Sequence, residues 1–138
     1  PAAIKLGQAL ATRPDLIGVA AAADLARLQD KLPPVPFAAI EAQLNAASGG
    51  DWKTQFQAIE PEAVGAASIA QVHKGVTSDG RTVAIKLLRP GIEADVASAL
   101  ATYEWGAGHL ETLGGEFARL RPRAVIATFR SWIETELD

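Results

Sequence analysis

The apolar positions of this chain keep helical spacing at first, shift to strand-like alternation in the middle and return to helical spacing. Ile4, Leu6 and Leu10 predict a short first helix ending near Thr12-Arg13-Pro14, because a proline disfavours helix at the residue before it. Asp15 is placed to start a new segment. Leu25, Leu28 and Leu32 share one helical face and predict a helix from Val19 to Leu32. The run Pro33 to Pro36 breaks the chain. Phe37, Ile40 and Leu44 then mark a further helix, closed by Ser48-Gly49-Gly50.

The pattern changes near Pro61 and divides the chain into residues 1–60 and 61–138. Ser68 to Val76 and Arg81 to Leu88 favour strands, and Ser78-Asp79-Gly80 between them is a hairpin signal. Helical spacing resumes from about Ile92 to Leu113, with Gly114-Gly115 as a stop. A last helix runs from about Arg123 to the end, with Val125, Phe129, Trp132 and Ile133 on one side. DWKTQF, before the proline, reads as a small packed turn. The order predicts an α+β fold of helices, a small antiparallel hairpin sheet, then helices.

Composition narrows the function classes. Apolar residues make up 49% of the chain and charged ones 21%, ordinary for one globular domain of 138 residues. The net charge of −3 weighs against a nucleic-acid partner. No signal peptide or other targeting segment is visible, and no apolar stretch approaches the length of a membrane span. With no cysteine and only His73 and His109, a disulfide framework, a thiol nucleophile and a protein-built zinc site all lose support. The chain starts at Pro1, contains no methionine and stops inside a helical pattern, so a piece of a longer protein is expected.

The candidate chemistry sits around GAASIAQV. Gly65, Ala67, Ala70 and Val72 occupy the small-residue and valine positions of a GxGxxGxV phosphate loop, in which small residues let backbone N–H groups approach phosphates. Taken alone, the run reads better as a small-residue turn before a hairpin, capped by Ser68. Lys86 shifts the balance. It ends VAIK, and on a strand Ala84 and Lys86 point to one face while Val83, Ile85 and Leu87 point to the other. A lysine there suits the α- and β-phosphates of a nucleotide, and Ala84 leaves room for a flat base. Loop and lysine together put nucleotide binding ahead of an ordinary solvated strand.

Other residues are less specific. Gly7 interrupts a helix and would suit close packing against another element, with Lys5 and Gln8 one turn apart on one face; the plainer reading is a solvated N-terminal helix. Glu136 and Asp138 lie about 200° apart on a helix and read as surface carboxylates. His73, beside Gln71, reads as a packed or hydrogen-bonded strand residue, because no nucleophile and carboxylate are spaced for a triad. Trp52, Trp105 and Trp132 read as core or interface residues.

KLGQALATRPDL, LARLQDKLPPVPF, GAASIAQVHKG, GRTVAIKLLRPGI and the terminal ELD, in that order, closely resemble the UbiB family. These are the ADCK-type atypical kinase-like proteins linked to ubiquinone (coenzyme Q) biosynthesis, and the likeness runs from Lys5 to Asp138. It implies a helical extension over residues 1–60 carrying a KxGQ motif, matched by Lys5, Gly7 and Gln8. That extension covers the active site in the family. The likeness implies an incomplete kinase-like N-lobe over residues 61–138, with inserted helices. There an alanine-rich loop, matched by Gly65, Ala66, Ala67 and Ser68, replaces the glycine-rich one, with glycine at Gly65 where alanine is frequent. Lys86 matches the phosphate-holding lysine, with Ala84 beside it. Glu136 and Asp138 match an ExD motif that meets the KxGQ segment.

The family's pairing glutamate, catalytic-loop residues and metal-binding aspartate have no counterpart here, so no catalytic or metal residue is assigned. The chain alone should not catalyse phosphoryl transfer, which depends on positioning metal and nucleophile. The expectation is the N-terminal part of an atypical kinase or ATPase that binds ATP and Mg2+ and supports ubiquinone biosynthesis. It would sit in the cytoplasm at the bacterial inner-membrane face, or at the organellar equivalent, with membrane lipid and ubiquinone-biosynthesis proteins as partners. The alternative is a non-enzymatic helical module that docks on membrane lipid or a partner protein.

Overall fold

The computed structural model describes residues 1–28 and 32–137. The chain is α+β and forms two compact units, Pro1–Asp30 with Glu93–Asp138, and Lys31–Ile92.

The first unit is helical. Helix α1 (Ala2–Ala11) ends where the Thr12 hydroxyl donates to the Ala9 carbonyl at 2.8 Å. Pro14 opens α2 (Pro14–Ile17) at a position where its missing N–H costs nothing. Helix α3 (Val19–Leu25) is shorter than the Val19–Leu32 helix that the leucine spacing predicts. Its last turn tightens, with Arg27 N–H on Asp24 O and Leu28 N–H on Leu25 O. The Leu28 carbonyl then accepts from Gln8 Nε2 at 3.4 Å, so a side chain of α1 closes the turn.

Further along, α5 (Ile92–Thr112) ends at the expected glycines. Gly114 and Gly115 take φ of 69° and 60°, a region that glycine enters readily. They lead into α6 (Gly115–Arg119), which the sequence pattern misses. Helix α7 (Pro122–Leu137) buries Ile126, Phe129 and Ile133. Arg130 ties it to α5 by donating to Glu104 at 2.7 and 3.0 Å. Among the described residues, no helix is long and apolar enough to cross a membrane.

The second unit carries a three-stranded antiparallel sheet of β1 (Phe56–Ala66), β2 (Ala70–Thr77) and β3 (Thr82–Leu88), in that spatial order. Strand β1 is the main departure from the sequence reading, which ends its first half at residue 60. DWKTQF is a 3-10 turn at Trp52–Thr54 that runs straight into this strand. The signal is hidden because Glu60-Pro61-Glu62 breaks the alternation. Pro61 is tolerated because β1 is an edge strand and Pro61 lies inside a register slip, between Ile59 and Ala63, with a second slip following at Val64. Helix α4 (Phe37–Ala47) covers one face, where Ile40, Leu44, Trp52 and Ile59 form a core flanked by Phe37, Phe56, Ile85 and Leu87.

Candidate functional site

Strand β3 separates its two faces as the sequence predicts. Val83, Ile85 and Leu87 are half-buried, whereas Thr82, Ala84 and Lys86 are exposed. The register extends this division to β2. Val72 pairs with Lys86 and Lys74 with Ala84, so these four share the exposed face. Gln71 and His73 point the other way and are buried.

The slip at Val64 decides what joins that face from β1. Two residues advance on β1, from Ala63 to Gly65, while β2 moves by one, from His73 to Val72. Gly65 is thereby placed opposite Val72. Gly65, Val72 and Lys86 form one row across three strands, each step about 4.8 Å. Lys74 on the same face is held by Glu60 at 2.9 Å.

The alanine-rich loop is a tight connection. Ala66 still pairs with Gln71, and Ala67 N–H donates to the Ala70 carbonyl at 2.8 Å. Gly65 is exposed, Ala66 and Ala67 are half-buried, and Ser68 (0%) and Ile69 (2%) are buried. The loop is therefore an anchored corner with its tip packed away. Gly65 is not among the residues of positive φ, and a Cβ there would meet nothing within 4 Å.

Sequence reasoning missed how this corner is held. Arg89, directly after β3, donates through Nε to Ala67 O at 2.9 Å and through Nη2 to Pro33 O at 2.9 Å. Its backbone N–H donates to Ile69 O at 2.9 Å. Gln71 accepts from Val35 N–H at 2.8 Å and donates to Val35 O at 3.1 Å and to His73 Nε2 at 2.8 Å. His73 Nε2 must therefore accept, so the proton sits on Nδ1 and is donated to Glu60 O at 2.8 Å. That carbonyl lies where β1 slips out of register, and the histidine supplies a partner for it. His73 is the hydrogen-bonded strand residue that the sequence suggested. The arginine signal was legible only as a cation directly after a strand.

The KxGQ residues lie in the helical unit. Gly7 lets α1 approach the end of α3, since a Cβ there would stand 2.4 Å from Leu28 Cδ1. Gly7 and Gln8 thus both meet Leu28. Lys5 is buried (7% exposed), with Nζ 5.6 Å from the Trp132 ring centre, within reach of a cation–π attraction. Trp132 and Glu136 are one turn apart on α7, so Lys5 and Glu136 belong to one region of this unit. Asp138 lies outside the described residues. Of the other tryptophans, Trp52 is buried and donates to Glu41, while Trp105 is 67% exposed and stacks on His109.

A family model described as the ABC1 atypical kinase-like domain matches residues 27–138. The chain belongs to that family. It is 41% identical to a protein named "Probable protein kinase UbiB" in Shewanella loihica, 40% to that of Shewanella frigidimarina and 37% to that of Marinobacter nauticus. Each likeness covers the whole of this chain and 25% of the relative, so the chain spans a quarter of the length of these curated relatives. The sheet, the loop corner and Lys86 all lie inside the ABC1 match, whereas Lys5, Gly7 and Gln8 precede it.

Proposed function

We propose that this chain forms the nucleotide-holding part of a UbiB-like atypical kinase or ATPase that acts in ubiquinone biosynthesis. The observation that carries this reading is the row of Gly65, Val72 and Lys86 on the exposed face of the sheet. An ammonium group there can meet the phosphates of ATP, Ala84 beside it leaves space for the adenine ring, and Gly65 to Ala67 offer small residues at the row's far end. These residues fit a nucleotide. Mg2+ would be carried by the phosphates, and no ligand for it is assigned here. Among the described residues, no group of three or more His, Cys, Asp and Glu side chains converges.

Lys5, Gly7 and Gln8, with Glu136 and Asp138, would regulate this site. The place of Lys5 of α1 over Trp132 of α7, which lies one turn before Glu136, supports that role. The setting proposed is the cytoplasmic face of the bacterial inner membrane or its organellar equivalent.

A second reading, docking on membrane lipid or a partner protein, is favoured by one observation. Two apolar cavities of about 360 and 390 Å³ lie side by side in the helical unit and share Leu10, Leu16 and Val125. ATP titration of the full-length parent separates the readings. Lys86→Ala should weaken Mg-ATP binding by at least about tenfold, the scale of lost charged hydrogen bonds. Equal binding by both proteins removes Lys86 from the site, and binding by neither favours the docking module.

A further inference from the structure

Gly65 to Ala67 can border a bound nucleotide in one geometry only if the corner after them is held in place. In the Ala67 to Ala70 corner, Arg89 does the holding. Its side chain takes Ala67 O and its backbone takes Ile69 O, each at 2.9 Å. The corner itself is packed, with Ser68 and Ile69 buried, so what the clamp sets in place is the run Gly65 to Ala67 that leads into it. The other arm of the same guanidinium holds Pro33 O, and two residues on Val35 is clasped in both directions by Gln71. The linker before α4 and the loop corner are thus fastened through one planar fork, which a lysine cannot reproduce.

We infer that Arg89 is a positioning residue for nucleotide binding: by joining Pro33 O to Ala67 O it fixes the corner that sets Gly65 to Ala67 at the far end of the Lys86 row. This rests on the nucleotide reading above. The anchoring half stands apart from it, because it concerns the loop without ligand.

The experiment uses the full-length protein with Arg89→Ala and Arg89→Lys, beside Lys86→Ala. Without nucleotide, amide hydrogen exchange at Ser68 and Ile69 should quicken about tenfold in Arg89→Ala and stay unchanged in Lys86→Ala. Mg-ATP should bind about tenfold more weakly to Arg89→Ala, adenosine should bind as before, and added guanidinium at millimolar levels should restore part of the ATP affinity. Should Arg89→Ala fail to fold, Arg89→Lys keeps the charge and one bond, and should show the same changes at reduced size. Unchanged loop exchange in both Arg89 variants overturns the anchoring. Faster exchange with unaltered ATP affinity overturns the positioning role. Weaker ATP binding in the Arg89 variants with normal binding in Lys86→Ala upholds Arg89 and instead refutes the role proposed for Lys86.

Discussion

Gly65 and Lys86 stand in one cross-strand row, with Val72 between them. They are 21 positions apart in sequence, and a single register slip at Val64 aligns them. Both ends of the row are exposed, while the opposite face of the sheet is covered by α4.

Gly65 keeps the row's far end small, yet its backbone makes no use of glycine's freedom and a Cβ would have open space. Gly65→Ala should therefore leave the fold intact and raise stability by about 0.5 kcal/mol, the ordinary gain from replacing glycine within a strand. Thermal or urea unfolding checks this. A loss above about 1 kcal/mol would mean that the strand needs glycine at this position.

Gly75 behaves in the opposite way. A Cβ on it would stand 2.4 Å from Ile85 Cδ1 and 3.5 Å from the Ala58 carbonyl, in the middle of the sheet. Gly75→Ala should destabilise by about 1 kcal/mol, the low end for overpacking, because the crowding atom is the end of the half-buried Ile85 side chain. Ile85→Val removes the clashing methyl, so the double variant should recover much of that loss. Plain additivity in the cycle would show that Ile85 is not the obstacle.

The β2–β3 turn gives a pH dependence. The Thr77 hydroxyl, and then Arg81, donate to the Asp79 carboxylate and hold its pKa below the usual value. A carboxyl lowered on folding stabilises the folded state fully above its ordinary pKa of about 3.9. That contribution is lost as pH falls through the lowered value. Thr77→Val should move the Asp79 titration back toward the ordinary value, read by the NMR shift of its carboxyl carbon. An unmoved titration would assign the effect to Arg81 alone.

Much of this arrangement was legible in the sequence. The two-residue period of Val83 to Leu87 gave the faces of β3, the Asp79-Gly80 pair gave the hairpin, and helical spacing gave α4, α5 and α7 closely. Strand β1 was not legible, because a bulged edge strand with Pro61 lacks regular alternation. The early end of α3 was hidden because the cap on Leu28 comes from Gln8, twenty residues away. Arg89 escaped for the same physical reason. Its partners are backbone carbonyls at Ala67 and Pro33, and a carbonyl leaves no residue-type signal.

The central claim, that Lys86 faces the phosphates of a bound nucleotide, is tested most directly by lysine acylation of the full-length protein with and without Mg-ATP, read residue by residue by mass spectrometry. Lys74 is the internal control, since it lies on the same face and is held by Glu60. Protection of Lys86 by Mg-ATP with unchanged labelling of Lys74 is the expected result. Equal labelling of Lys86 with and without saturating nucleotide would contradict it.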